Sequence, residues 1–163
     1  MFQELKQTLS SQFLAAIKML ENAIDICPQN VWNQGKDFYD FWYITYHTLF
    51  FIDFYLTDSP DDYKQFGEIG LTELDPEGIL PHRVFTKDEL KSFLEHCRVK
   101  CKNTINNLDT EKAASNYKFG SLEMTYLELL FYNMRHVQHH TGQLNLILRQ
   151  QINSAPKWVR SSV

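Results

Sequence analysis

Long apolar runs free of charge are missing from this chain. Its most apolar stretch, Phe38 to Leu56, contains Asp40, His47 and Asp53, which argues against a membrane span. The first residues, Met1 to Leu9, are polar and amphipathic and lack the apolar centre of a signal peptide. Six Gly and five Pro are too few for a loop-rich β protein or a disordered chain. Three Cys cannot all pair, so a disulfide scaffold is not expected and a reducing cytoplasm is. No basic run occurs, the formal charge is -4, and a nucleic-acid partner is therefore not expected. Internal repeats and low-complexity segments are absent as well.

The chain is instead rich in core-forming side chains. Hydrophobic residues make up 44 %, with twelve Phe and eight Tyr, enough for one packed domain spanning residues 1–163. Apolar residues recur at helical spacing in four stretches, which predicts an all-α, four-helix bundle. The first helix covers about residues 2–26, with Leu9, Phe13, Ala16, Ile17, Leu20 and Ile24 on one face and Pro28 beyond its end. A second is expected over about 36–56, closed by Asp58-Ser59-Pro60. The third, about 86–109, opens on Thr86-Lys87-Asp88-Glu89, a capping-box pattern. The fourth, about 125–151, opens on Thr125 with Glu128 three residues on, a second such pattern. Between the second and third lies a long crossover, Thr57 to Phe85, either a plain linker joining parallel helices or a cover for a pocket.

Chemistry concentrates in the histidines. His136 and His140 are four apart on the last helix, so their imidazoles stack one turn above the other. They share a face with Leu129, Asn133, Leu144 and Ile147, which turns the pair towards the core, while His139 is rotated towards the polar margin. His47 lies in the stripe Asp40, Tyr43, Ile44, His47, Phe50, Phe51 and Phe54 on the second helix, and it too is expected to point inward. An unpartnered buried imidazole is costly. Three of them on two helices favour one divalent metal over three separately satisfied core histidines. Nitrogen donors suit zinc, nickel, copper or iron and not calcium or magnesium. Three protein ligands leave a coordination position open, as in catalytic zinc sites.

Other chemistries lack their motifs: there is no Glu-x-x-His, His-Glu-x-x-His, Cys-x-x-Cys or Gly-x-Ser-x-Gly. Cys97 and Cys101, with His96 beside them, have metal-ligand spacing but sit in an apolar stripe, where core packing is the better account. Cys27 carries no functional expectation, and His82 and His96 are expected to be solvated. Tyr43, Asn133 and Gln143 lie a turn from the ligands, where they would orient substrate or imidazoles unless they only hydrogen-bond within the core. Asp40, two turns from His47, is a weaker proton acceptor. The crowd Phe38, Tyr39, Phe41, Trp42 and Tyr43 exceeds what one stripe can bury, so cover from neighbouring helices or a second subunit is expected, and a homodimer with it.

The cluster His136-x-x-His139-His140-x-Gly142-Gln143, with the isolated His47 in Trp42-Tyr43-Ile44-Thr45-Tyr46-His47-Thr48-Leu49-Phe50, resembles the DinB-like superfamily. The order of elements, with its long crossover and the third helix opened by Thr86-Lys87-Asp88-Glu89-Leu90, resembles it too. That resemblance implies a bundle of up-up-down-down type with nickel, zinc or another divalent ion on His47, His136 and His140. It also implies a homodimer and activities such as group transfer to or from low-molecular-weight thiols. Two functions follow as expectations. One is a metal-dependent thiol S-transferase or hydrolase-like enzyme acting on small molecules. The other is a non-catalytic module in which metal clamps two helices and the surface meets a protein partner.

Overall fold

The computed structural model describes residues 1–161, in which six helices and one two-stranded sheet are formed. Helix α1, Phe2–Ile26, buries Leu9, Phe13, Ala16, Ile17, Leu20 and Ile24, the stripe that predicted it. It stops at Cys27, which is extended because the proline after it disfavours helical backbone. A single turn, α2, follows at Gln29–Trp32.

The second long helix is shorter than expected. Helix α3 runs Phe41–Tyr55, and residues 36–40 are loop rather than its first turn. The reason is local. The Asp40 carboxylate accepts from the Asp37 backbone N–H at 2.7 Å, and the Trp42 indole N–H donates to the Gly35 carbonyl at 3.1 Å. These bonds fold the preceding segment back onto the helix start and compete with helical continuation. Every α3 residue except His47 and Phe51 is buried. The cover comes from within the chain: α3 packs on later helices, and Phe85 and Tyr63 of the crossover lie against Trp42, Tyr46 and Phe50. No second subunit is needed to bury it. Phe38 and Tyr39, in the loop, stay exposed.

The crossover holds two single turns of 3-10 helix, Pro60–Asp62 and Thr72–Leu74. Helix α4, Lys87–Asn107, opens on the full capping box between Thr86 and Glu89 and buries Leu90, Phe93, Leu94, Cys97, Cys101 and Ile105. A short α5, Thr110–Ala114, and a hairpin of β1, Asn116–Phe119, and β2, Leu122–Thr125, come next, so the chain is mostly rather than purely helical. Gly120 takes φ +57 in the hairpin turn, a conformation open to glycine at little cost. Helix α6, Tyr126–Ile152, begins at Thr125, whose Oγ1 accepts from the Glu128 N–H at 3.3 Å. The returning bond from the Glu128 carboxylate is not formed, so only one arm of the expected box exists.

Helix α1 packs against α4 and α6, and α3 packs against the same two. One continuous apolar core runs from Leu9 to Leu148 between these four long helices. Among the described residues, no helix is long and apolar enough to cross a membrane.

Candidate metal centre

Helices α3 and α6 lie side by side and bring His47, His136 and His140 together. One ring nitrogen from each lies within 4.8 Å of the other two. The Nε2 atoms of His47 and His136 are 3.2 Å apart. Two nitrogens bound at about 2.0–2.1 Å on a tetrahedral ion are about 3.3 Å apart, so this pair already has coordination spacing. The three rings contact one another edge to face or tilted, with centroids 4.4–5.1 Å apart.

Hydrogen bonds turn two of the rings. His47 Nδ1–H donates to Glu73 Oε2 at 2.7 Å, which leaves Nε2 bare and aimed at the cluster. His140 Nδ1–H donates to Gln143 Oε1 at 2.6 Å with the same result. Tyr43 donates its hydroxyl to the other oxygen of Glu73 at 2.7 Å. Burial, with Glu73 alongside, pushes the Tyr43 phenol well above its usual range and keeps it a proton donor. His136 Nδ1 is buried without a protein partner. Burial, then the neighbouring imidazoles, lowers His136 to about 3; burial likewise takes His140 to about 4. Both rings are therefore neutral near pH 7, the form that binds a metal. Two free ring nitrogens, the 3.2 Å approach of His136 Nε2 to His47 Nε2 and mutual crowding fit a cation held between the three.

Glu73 is absent from the sequence expectations. It comes from the crossover, in the turn Thr72–Leu74, and nothing in its spacing from His47 marks it. The crossover thus reaches the site, the role left open beside that of a plain linker. Asn133 is buried and donates to the Ile52 carbonyl at 3.2 Å, away from the imidazoles. Asp40 is occupied by the Asp37 backbone.

The cluster sits at the edge of the core, not inside it. All three rings are half-buried, and the His47 side chain is 25 % exposed. A hollow of about 200 Å³ opens beside it, floored by His47 and His140 and walled by Phe38, Tyr39, Tyr43 and Ile44. A larger one, about 440 Å³, is lined by α6 residues including Arg135 and His139 and touches only His136 of the three. His139 is exposed, as its rotation predicted, and so is His82, which does not line the smaller hollow.

His96 is not simply solvated. Its Nε2 lies 2.9 Å from Asp53 Oδ1, and the same oxygen accepts from Lys100 Nζ at 2.7 Å. The Asp53 side chain is 1 % exposed, so the pair compensates a buried charge. Cys97 and Cys101 are buried in the core and Cys97 donates to the Leu49 carbonyl. Burial raises both thiols, Cys101 to about 12. They pack as small apolar groups, and His47, His136 and His140 are the one cluster with metal-holding geometry among the described residues.

No curated protein and no solved structure matches the chain. The DinB family model matches residues 83–151, from the end of the crossover through α4 and most of α6. His136 and His140 lie inside that segment and His47 outside it. The match spans less than half of the chain and shows similarity to that family over this segment.

Proposed function

We propose that the chain is a four-helix-bundle, divalent-metal-dependent enzyme of thiol S-transferase or hydrolase-like type, acting on small molecules in the cytoplasm. The observation that carries this reading is the convergence of three imidazoles with no fourth His, Cys, Asp or Glu in the cluster among the described residues. Imidazole donors suit nickel or zinc. An ion so held supplies Lewis acidity, bringing a water or thiol in the open position towards ionisation near neutral pH. The protein's share is positional. Glu73 and Gln143 hold two rings in the productive tautomer, and the Tyr43 phenol fixes Glu73 in turn.

The non-catalytic clamp is the second reading. It is weakened because α3 and α6 already pack along their length, so a clamp has little left to hold. A homodimer belongs to the proposal, supported by exposed Phe131 and Leu146 on α6; light scattering that reports a clean monomer contradicts it. Elemental analysis of protein purified without a metal-affinity step tests the core of the reading. About one ion per chain is expected, with a large loss in His140→Ala; equal metal in both ends the tri-histidine assignment.

A further inference from the structure

The hollow beside the imidazoles says what kind of substrate fits, if the triad is the metal-dependent centre just proposed. Its walls are aromatic and aliphatic, apart from Gln143, whose Oε1 is taken by His140. Phe38 meets Tyr43 edge to face at 5.0 Å, Tyr39 stands exposed at the rim, and Ile44 closes the side. No Lys, Arg, Asp or Glu lines it. Glu73 stands behind Tyr43 and His47, and the loop that carries Phe38 and Tyr39 bears Asp37 and Asp40 beside Lys36, whose ammonium is held on the His82 carbonyl. Such a lining offers an anionic group no charged partner. The size is also restrictive, since an apolar cavity of about 150 Å³ accepts one benzene ring and this one measures about 200 Å³.

We infer that the hollow walled by Phe38, Tyr39, Tyr43 and Ile44 binds an uncharged aryl or branched alkyl group of the substrate, presenting the atom attached to it at His47 and His140. Arg135, the cation nearest the triad along α6, lines the other hollow and does not reach this one. Ring-on-ring contact with Phe38 and Tyr39 is the recognition element, and neither residue touches an imidazole nitrogen.

Two arms separate this inference from the metal reading. In metal-free protein, saturation-transfer NMR with benzyl alcohol is expected to show saturable binding. Phe38→Ala and Tyr39→Ala weaken it roughly tenfold, the worth of one good aromatic contact, with thermal unfolding of Tyr39→Ala unchanged. Isethionate or tetramethylammonium binding as tightly as benzyl alcohol, or alanine variants that bind it unaltered, overturns the inference. In cobalt-loaded protein, benzyl mercaptan is expected to raise thiolate-to-cobalt absorption at concentrations at least about tenfold below those needed for 2-mercaptoethanesulfonate. Equal or reversed preference there overturns it as well. Failure to take up cobalt while benzyl alcohol binds as expected rejects the metal reading and supports the hollow as an aryl site.

Discussion

A carboxylate on the far side of a ligating imidazole decides which nitrogen is free to bind. Glu73 does this for His47, and Tyr43, donating to its second oxygen, helps to hold the carboxylate in place. Partners of this kind typically account for about 10–100-fold in metal affinity. Glu73→Ala is accordingly expected to weaken binding by that factor with all three histidines intact, read by competition against a chromogenic chelator. Unchanged affinity would detach Glu73 from the site. The histidines themselves were legible because helical spacing alone puts His136 above His140 and sets His47 among aromatics. Glu73 was not, since an irregular crossover has no period from which to infer direction. Nor was the half-exposed setting of the triad, because a stripe gives the direction of a side chain and not its depth.

At the level of single elements, the best-marked boundary is the start of α4. Glu89 accepts from the Thr86 N–H and hydroxyl and from Nη1 and Nη2 of Arg83. The Arg83 bonds, with those from Thr86, lower its carboxyl from 4.5 to about 2. A lowered carboxylate stabilises the fold above its unfolded pKa, and that contribution disappears as pH falls through the folded one. The window here is pH 4.5 down to about 2. Glu89→Gln is expected to cost about 0.3–1.5 kcal/mol at pH 7, the range for one cap contribution. Its urea-denaturation curve should converge with that of the parent as pH drops through the window; a constant gap would assign the loss to packing. Capping signals of this type, with the apolar stripes, placed α4 and α6 closely, and a stripe ended by Pro28 placed α1. The start of α3 was placed five residues early because an apolar stretch does not reveal that Asp40 will bond back to Asp37. Strands of four residues, as in the hairpin, are too short to establish an alternating pattern.

Across the whole molecule, the four long helices share one apolar core, and α3 and α4 are tied by a buried charge as well. Asp53 of α3 meets Lys100 and His96 of α4. Removing one partner of such a pair leaves an uncompensated charge in the interior. Lys100→Met is therefore expected to lose about 3–5 kcal/mol in urea denaturation, with Asp53→Asn added to it recovering most of the loss. A cost below about 1 kcal/mol would mean that water reaches the carboxylate. Nothing in the sequence paired these residues, since Asp53 and Lys100 meet only through the packing of α3 on α4.

The same packing seals in every thiol the chain has. Cys27, Cys97 and Cys101 are each 2 % exposed or less. A reagent in solution cannot reach them until the helices part, and burial holds their protons on besides. The three sulfurs therefore act as a clock for opening: oxidation and alkylation proceed no faster than the protein breathes, and any ligand that bridges α3 to α6 slows the hands.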